Sequence, residues 1–387
     1  MKMKKLFAGI GLASLLLASC IQDEALNKEA AIDGCTGTYI QQATINAENH
    51  TIQLFVSKST ELSDIEIIFQ LPDGATITPE TIEPGDHDSV YDFSRSANRK
   101  FKVVSEDGEY TASYTITVWQ TEMPLQYSFE TLSSNTPFHI FYEHQKSNES
   151  TTSLRLEWAS GNPGYKMTGK GTSPELYPTV QVSGGVDGGK AVKLETRDTG
   201  KFGSLVGMHI AAGNLFIGSF NVEDALKNAR KATQLGYPFF KEPLKLEGWY
   251  KFKRGAIFEE KGKPIEGKLD ECDIYGVLYE VDTDFTILDG DNSLTSDRIV
   301  SMARYNLKSE NRLPKSNGEF LPETDSWTKF EFPFEPQNGK VIDPKRMRNG
   351  GYKLAIVFSS SVEGAFFKGA IGSTLYIDEV KLTAKEN

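Results

Sequence analysis

The sequence has few of the residues that build disulfide frameworks and metal sites. Its 387 residues include three cysteines and five histidines. The histidines show no close metal-ligand spacing, and Cys35 and Cys272 are too far apart in sequence to suggest a disulfide framework. We therefore expect two free thiols after the N-terminal segment, with Cys272 buried and Cys35 in a flexible linker.

Positive charge is also scarce. The chain carries 42 lysines and arginines against 53 aspartates and glutamates, a formal net charge of −11. A protein that binds nucleic acid needs a basic patch that replaces counterions on the phosphates, and no basic stripe is present. This balance argues against a nucleic-acid partner.

The N-terminus is different from the rest of the chain. Residues 1–19 combine a basic head, a short apolar run and a small-residue end, which is the pattern of a secretory signal peptide. The apolar run is too short and wrongly flanked for an ordinary membrane span. Its end, "LASC", resembles the bacterial lipobox, which implies lipidation of Cys20 and anchoring rather than spanning. The alternative is plain secretion, with Cys20 incidental.

The residues after Cys20 indicate a location. The acidic pair Asp23-Glu24 resembles the surface-export signal of Bacteroidetes lipoproteins. We expect an outer membrane lipoprotein, at the cell surface or otherwise on the periplasmic face, that touches the membrane only through its lipid. Residues 20–37 are the expected lipidated tether.

Residues 38–122 predict a small immunoglobulin-like β-sandwich. Short alternating runs are separated by the turn signals "LPDGAT", "EPGD" and "EDGEY". The segment "FKVVSEDGEYTASYTITV" resembles the last hairpin of immunoglobulin-like domains on Bacteroidetes surface proteins. No catalytic constellation is visible, so we interpret this domain as a spacer, with a binding role as the alternative.

Residues 123–387 predict a larger β-sandwich of the jelly-roll type. About ten strand-like runs follow one another without a βαβ rhythm, so the whole chain is expected to be all-β. One segment, 221–232, is expected to be helical, with Asn221 as its cap and Arg230 and Lys231 in its last turn.

Long stretches of this second part resemble a family called the "putative carbohydrate metabolism domain", found mostly in Bacteroidetes lipoproteins. The stretches are "AAGNLFIGSF", "YPFFKEPLKLEGWYKFKRG", "CDIYGVLYEVD" and "VFSSSVEGAFFKGAIGSTLYIDEVKL". The resemblance implies a jelly roll like those of carbohydrate-binding modules and glycosidases. It departs at Glu242, which stands where the family usually has arginine, so no arginine role carries over there.

Several residues in these stretches are candidates for sugar binding, which uses aromatic faces and planar polar groups. In "GWYKFK", Trp249 and Lys251 share one strand face, and the alternative is that neighbouring aromatics are simply core. In "AAGNLF", Asn214 offers a donor and an acceptor next to a close-approach backbone. The expected ligand-binding residues are Asn214, Trp249, Tyr250, Lys251, Asp273, Tyr275 and Ser360.

Carboxylates are needed in pairs for glycoside hydrolysis, about 5–5.5 Å apart for retention and about 6.5–9.5 Å for inversion. "ECDIYG" places Glu271 and Asp273 at alternate positions, and Glu280 lies further along the same run. These three are the catalytic candidates, and the alternative is an acidic solvated face, which explains the same pattern.

Metal binding is a further alternative. In carbohydrate-binding modules, a closing "Y-I-D-x-V" strand and an opening "F-E" strand often share a structural calcium, which here implies Asp378 and Glu130. The competing interpretation is that Asp378 accepts bonds from loop N–H groups. The segment 289–297, "DGDNSLTSD", partly resembles a calcium loop but lacks its glycine and glutamate. No cofactor is required.

The sequence therefore predicts a cell-envelope lipoprotein that binds an oligo- or polysaccharide in a pocket of its C-terminal jelly roll. The main alternative is a glycoside hydrolase that uses paired carboxylates in the same pocket. A structural surface protein that binds other proteins remains a third class.

Overall fold

The structure is a computed structural model, and it describes residues 26–385 with the exception of nine internal stretches. These stretches are 47–48, 58–59, 121–122, 135, 146–153, 223–224, 226–227, 283–286 and 306–320. The predicted signal peptide and Cys20 lie outside the described residues. The fold is all-β, as predicted, and among the described residues all but one of the strand pairs are antiparallel.

The N-terminal domain is a β-sandwich. Its largest sheet has the order β2-β3-β9-β8-β6, in which β3 and β9 run parallel. Apolar and polar residues alternate along β8, so that Phe101 and Val103 face the core while the intervening lysines face solvent. The strands are β1 Gly34–Thr36, β2 Ile40–Asn46, β3 Thr51–Val56, β4 Ile65–Glu66, β5 Ile68–Gln70, β6 Thr76–Pro79, β7 Val90–Tyr91, β8 Asn98–Val104 and β9 Thr111–Gln120.

This domain begins earlier than the sequence suggested. Cys35 lies on β1, which pairs with β5, and both Cys35 and Ile32 are buried in the domain core. Its placement in a flexible linker is therefore wrong, and the tether cannot extend to residue 37. Burial raises the pKa of the Cys35 thiol to about 12. Both described cysteines are free and buried, as expected for Cys272.

The C-terminal domain stacks two sheets face to face. The first sheet has the order β14-β15-β31-β22-β27, with β10 also pairing with β31. Its strands are β10 Gln126–Tyr127, β14 Thr179–Ser183, β15 Lys190–Glu195, β22 Pro243–Lys253, β27 Thr324–Pro333 and β31 Thr374–Ala384.

The second sheet has the order β18-β29-β25-β26-β28, with β21 also pairing with β29. Its strands are β18 Asn214–Phe216, β21 Tyr237–Pro238, β25 Asp273–Glu280, β26 Ile299–Arg304, β28 Glu335–Pro336 and β29 Tyr352–Ser359.

The main core fills the space between these two sheets. Tyr250 and Phe252 reach it from the first sheet, and Leu354, Ile356 and Phe358 reach it from the second. A second apolar cluster covers the outer face of the second sheet. Strand residues that alternate between the two faces are therefore buried on both sides, which explains the continuous burial along β25 and β29.

Short elements surround the two sheets. The helices are α1 Asn162–Lys166, α2 Gly200–Leu205 and α3 Pro344–Arg348, with 3₁₀ turns at Pro174–Leu176 and Gly364–Phe366. The remaining strands are β11 Thr131–Leu132, β12 Phe141–Gln145, β13 Leu154–Glu157, β16 Arg197–Asp198, β17 Ile210–Ala211, β19 Gly218–Phe220, β20 Thr233–Leu235, β23 Phe258–Glu260, β24 Lys263–Pro264 and β30 Lys368–Ala370.

The predicted helix over 221–232 is only partly open to comparison, because residues 223–224 and 226–227 lie outside the described residues. Its second half is wrong: residues 228–232 form turns. The carbonyl of Arg230 accepts from the N–H of Gly290, and that of Ala232 accepts from Asn221, so these groups bond outside a helix. No helix among the described residues is long and apolar enough to span a membrane.

Candidate functional site

A cavity of about 290 Å³ lies on the outer face of the second sheet. Its floor is built by three neighbouring strands, because Ser359 of β29 is the cross-strand partner of both Asn214 on β18 and Asp273 on β25. Residues directly opposite each other on adjacent strands have Cβ atoms about 4.5–5.5 Å apart. The register thus sets an amide, a hydroxyl and a carboxylate side by side.

The next row of the floor is apolar and aromatic. Val357 pairs with Phe216 on one side and with Tyr275 on the other, and all three belong to the outer apolar cluster. Alternation places this row on the same face as the polar row, two residues along each strand. The floor therefore joins a flat apolar area to a short polar strip.

Loops raise walls around this floor. The walls come from α1, from α2, from Phe220, Ala225 and residues 229–235, from residues 290–295, and from the 3₁₀ turn that ends at Phe366. Phe202 on α2 is 46% exposed and Phe366 is 43% exposed, so two aromatic rings remain accessible at the rim. The guanidinium of Arg230 lies 5.2 Å from the centre of the Phe366 ring and holds that ring from one side.

Asn214 occupies the polar strip with one end of its amide fixed. Its Oδ1 accepts from the N–H of Gly161 at 2.7 Å, and its backbone carbonyl accepts from the hydroxyl of Thr179. No hydrogen bond to Asn214 Nδ2 occurs among the described residues, and the residue lines the cavity. The sequence-based choice of Asn214 thus coincides with an oriented amide whose donor remains available.

Asp273 lines the same strip but is already paired. Arg304 Nε and Nη2 donate to its two carboxylate oxygens at 2.9 and 2.8 Å, and both side chains are almost fully buried. Such a bidentate pair fixes the orientation of the carboxylate. The remaining lone pairs of Asp273 can accept a hydrogen bond from a ligand.

Of two further predicted ligand-binding residues, Tyr275 lines the cavity and Ser360 does not. Tyr275 lines the cavity, and its hydroxyl shares a hydrogen bond with Ser293, while burial raises the pKa of its phenol. Ser360 is fully buried, its hydroxyl shares a hydrogen bond with that of Thr196, and it lies outside the described lining of the cavity. The neighbouring serines, Ser359 and Ser361, line it instead, because the side chains alternate at the end of β29.

The other two catalytic candidates do not join Asp273. Glu271 is buried, receives a 2.8 Å bond from Arg254, and lies outside the described lining. Glu280 is at the opposite end of β25 and is paired with Lys340. The prediction that one of them completes a carboxylate pair with Asp273 in the pocket is therefore not supported by this geometry.

The "GWYKFK" segment of β22 lies in the first sheet, on the other side of the domain. Tyr250 is buried in the main core and its hydroxyl donates to the carbonyl of Pro322, so its prediction as a ligand-binding residue is wrong. Trp249 and Lys251 point to the outer face of the first sheet, away from the cavity. Lys251 and Asn214 do not share the single pocket that the sequence suggested, because Lys251 lies on the outer face of the first sheet and Asn214 on the outer face of the second.

Lys251 has a specific environment on that outer face. Its ammonium lies 4.5 Å from the ring centre of Trp327 and 4.8 Å from that of Tyr376. Trp327 reaches across the sheet and donates its indole N–H to the carbonyl of Gly184. The lysine is therefore held between two rings.

The Asp378 carboxylate is bonded by backbone. Its Oδ2 accepts from Val186 at 2.7 Å and its Oδ1 from Glu379 at 2.9 Å. Glu130 likewise accepts from the N–H of Lys190 at 2.7 Å. Both acids thus fix the loop between β14 and β15. No group of three or more His, Cys, Asp or Glu among the described residues is arranged to hold a metal.

The segment 289–297 is a wall of the cavity. Asp289 caps the turn through its bond to the N–H of Asp291, and Asp291 is ion-paired with Arg230. Gly290, Ser293 and Thr295 line the cavity. The partial calcium-loop pattern therefore corresponds to an Asx-type turn that shapes the wall.

Several site residues were missed from the sequence. Arg304 and Phe202 lie in segments without a recognisable motif, whereas Arg230 lies in the predicted helix and Phe366 in a family-like stretch, where neither was predicted as a site residue. One signal was available for Phe366, since the stretch "SSSVEGAFFKG" places small residues around two aromatics after a buried strand. The partnership of Asp273 with Arg304 depends on the pairing of β25 with β26, which no local pattern reveals.

The fold and the site define a class: an all-β protein of two sandwiches, the second of which carries a sugar-sized cavity on its outer face. Residues 128–383 match the family model described as "Putative carbohydrate metabolism domain". Residues 35–118 match the model "SGBP, N-terminal". Because the first match covers more than half of the sequence, the chain belongs to the carbohydrate metabolism domain family.

Two solved structures are similar over long stretches. One, from Bacteroides thetaiotaomicron, is 41% identical, with a TM-score of 0.73 over 95% of this chain and all of its own. The other, from Bacteroides vulgatus, is 37% identical, with a TM-score of 0.59 over 69% of this chain and all of its own. Both are described as a "putative glycoside hydrolase". No curated protein matches the chain.

Proposed function

We propose that the C-terminal domain binds carbohydrate in the cavity on the outer face of its second sheet. The observation that carries this proposal is the Asn214–Ser359–Asp273 row beneath two exposed aromatic rings. Sugars present apolar C–H faces and a ring of hydroxyls, which match an aromatic rim and a polar strip. Membership in a carbohydrate-related family supports the same function.

Capture of the sugar is favoured over its hydrolysis. Hydrolysis by the usual route requires two carboxyl groups, one to donate a proton and one to attack or activate water. The two carboxylates in the described lining, Asp273 and Asp291, are both ion-paired with arginines. Both carboxylates are thus already engaged by guanidinium groups, so neither stands free to face a glycosidic oxygen as a dedicated acid or base.

The binding experiment compares variants of the purified protein on a glycan array and by titration calorimetry. Asn214→Asp keeps the acceptor for Gly161 but removes the free donor, and Phe366→Ala removes an exposed ring. We expect each to weaken binding by about tenfold or more, since one lost hydrogen bond or ring contact is worth about 1–2 kcal/mol. Lys251→Met, on the opposite face, is the matched control.

The outcome that contradicts the proposal is equally specific. If a broad glycan panel gives no binding, or if Lys251→Met weakens binding while Asn214→Asp and Phe366→Ala do not, the cavity is not the carbohydrate site.

Hydrolysis is the second candidate, favoured by the names given to the two similar structures. Release of reducing ends from the glycans that bind best would reveal it. If turnover is observed and Asp273→Asn abolishes it while binding persists, the hydrolase assignment replaces simple capture.

We further propose that the protein is an outer membrane lipoprotein exposed at the cell surface and anchored at Cys20. The support is the lipobox-like sequence Leu17 to Cys20 and the acidic pair that follows it. Metabolic labelling with a fatty acid should mark the wild-type chain but not Cys20→Ala. Protease treatment of whole cells should degrade the anchored protein, whereas a periplasmic location would protect it.

A further inference from the structure

The cavity is dominated by apolar surface, which restricts the kind of sugar that it can hold. Its apolar lining includes residues from every wall as well as from the floor. The larger members are Met167, Phe202, Val206, Met208, Phe216, Phe220, Leu235, Leu294, Val357, Phe366 and Phe367. An unsubstituted hexose would bury hydroxyls against this surface, and each unbonded hydroxyl costs about 1–3 kcal/mol.

Most hydroxyl groups in the lining are already used. Thr168 donates to the carbonyl of Tyr165, Thr199 to that of Met208, and Ser359 to that of Ser361. Ser361 in turn donates to the buried carboxylate of Asp270. These protons are not available to a ligand, so few donors remain for a sugar that carries a hydroxyl on every carbon.

The charges in the lining are also neutralised. Asp273 is paired with Arg304 of the neighbouring strand β26, and Asp291 is paired with Arg230 at 2.8 Å in the wall. No unpaired ionised side chain occurs in the described lining. A uronate, sulfate or amino sugar would therefore lose hydration without gaining an opposite charge, which disfavours charged residues.

The size of the cavity sets a further limit. At about 290 Å³ it is close to the lower end of the roughly 300–1,000 Å³ typical of small-molecule pockets. Walls on several sides of this volume suit the end of a glycan or a side branch better than the middle of a long chain.

Resting on the proposed carbohydrate function, we propose that the cavity holds a terminal, uncharged sugar residue that carries a methyl group. The methyl group belongs either to an acetyl substituent or to C6 of a 6-deoxyhexose. It lies against the Phe216 and Val357 part of the floor, while the remaining oxygens face Asn214 Nδ2 and the Asp273 carboxylate.

The test is calorimetry with pairs of sugars that differ in this group. The acetyl arm compares N-acetylglucosamine with glucose, and an acetylated xylo-oligosaccharide with the same material after alkaline deacetylation. The deoxy arm compares fucose with galactose. We expect the methyl-bearing member of at least one arm to bind about fivefold or more tightly, from burial of the methyl group.

A variant checks that the preference arises in the cavity. Val357 belongs to the part of the floor against which the methyl group is placed, and threonine is isosteric with it. Val357→Thr, which adds a hydroxyl there, should reduce the methyl preference. Val341→Thr, at an 84% exposed position outside the described lining, should leave the preference unchanged.

The failure of this inference can be distinguished from the failure of the proposed function. Equal or tighter binding of the unsubstituted sugars, still weakened by Asn214→Asp, would overturn the methyl preference and keep carbohydrate binding. Absence of binding to every sugar, substituted or not, would overturn both.

Discussion

Asp273 on β25 and Arg304 on β26 form a bidentate ion pair between neighbouring strands, two residues from the direct pairing of Arg304 with Tyr275. The side chain of Arg304 is 2% exposed and that of Asp273 is 5% exposed. The pair therefore serves as a rigid element of the floor. It keeps a negative oxygen at the polar strip without leaving a net charge there.

Removal of one partner of this pair is predicted to be costly. Asp273→Leu removes the bidentate partner of Arg304, and Arg304→Met removes that of Asp273; breaking a buried pair from one side typically costs about 3–5 kcal/mol of unfolding free energy. Replacing both, as Asp273→Leu with Arg304→Met, should recover most of that loss. Urea or guanidinium unfolding measures all three. Equal destabilisation by the double and the single variants would show that the charges are not coupled.

The pH dependence of stability is predicted from Glu143. Burial raises the pKa of this carboxyl from 4.5 to about 7, although it accepts from the N–H of Phe129. Between these two values the unfolded chain has lost the proton while the folded chain retains it, so stability falls as pH rises. The change amounts to about 3 kcal/mol and levels off above pH 7.

The measurement is the unfolding free energy between pH 4 and pH 8. Glu143→Gln, which can still accept from Phe129, should flatten the curve over this range. Asp378 and Glu379 also have raised pKa values from burial and neighbouring acids, so they add a residual slope of the same sign. An unchanged curve in Glu143→Gln would contradict the assignment.

Strand alternation predicted much of the fold but failed at one residue of β31. Strict alternation puts Asp378 on the same face as Val380 and Leu382. In the structure Glu379 has a positive φ of 45°, and the register with β22 shifts at this point. This bulge turns Val380 and Leu382 into the core and leaves Asp378 on the outer side. A local pattern cannot reveal an inserted residue.

The candidate site also shows how far local sequence patterns can predict structure. Asn214, Asp273 and Tyr275 were chosen singly, from residue chemistry and family resemblance, and the structure places all three in the cavity lining. Trp249 and Lys251 were chosen on equal grounds and lie on the opposite face of the sandwich. The chemistry of a residue is visible in the sequence. Whether that residue reaches the outer face of the first sheet or of the second depends on the order of strands, and long-range pairing sets that order.

The two described thiols are predicted to be unreactive in the folded protein. Cys35 lies in the N-terminal core and Cys272 lies between the sheets of the second domain. Burial raises the pKa of both thiols, so that little thiolate forms at pH 8. Iodoacetamide labelling followed by peptide mapping should modify neither position until denaturant is added. Rapid labelling of Cys35 in the native protein would indicate that β1 detaches.

Lys251 is predicted to stabilise the first sheet through its two ring contacts and to contribute nothing to the cavity. A double-mutant cycle of Lys251→Met with Trp327→Leu should give a coupling of about 0.5–2 kcal/mol in unfolding free energy. Lys253→Met is the matched control, because Lys253 is exposed on the same strand face and lies outside the ring contacts described for Lys251. Its cycle with Trp327→Leu should give a coupling near zero. Cavity affinity should stay unchanged in every member of the cycle, since the two outer faces are separated by both sheets and the core between them. A loss of affinity in Lys251→Met alone would show that the two faces are linked.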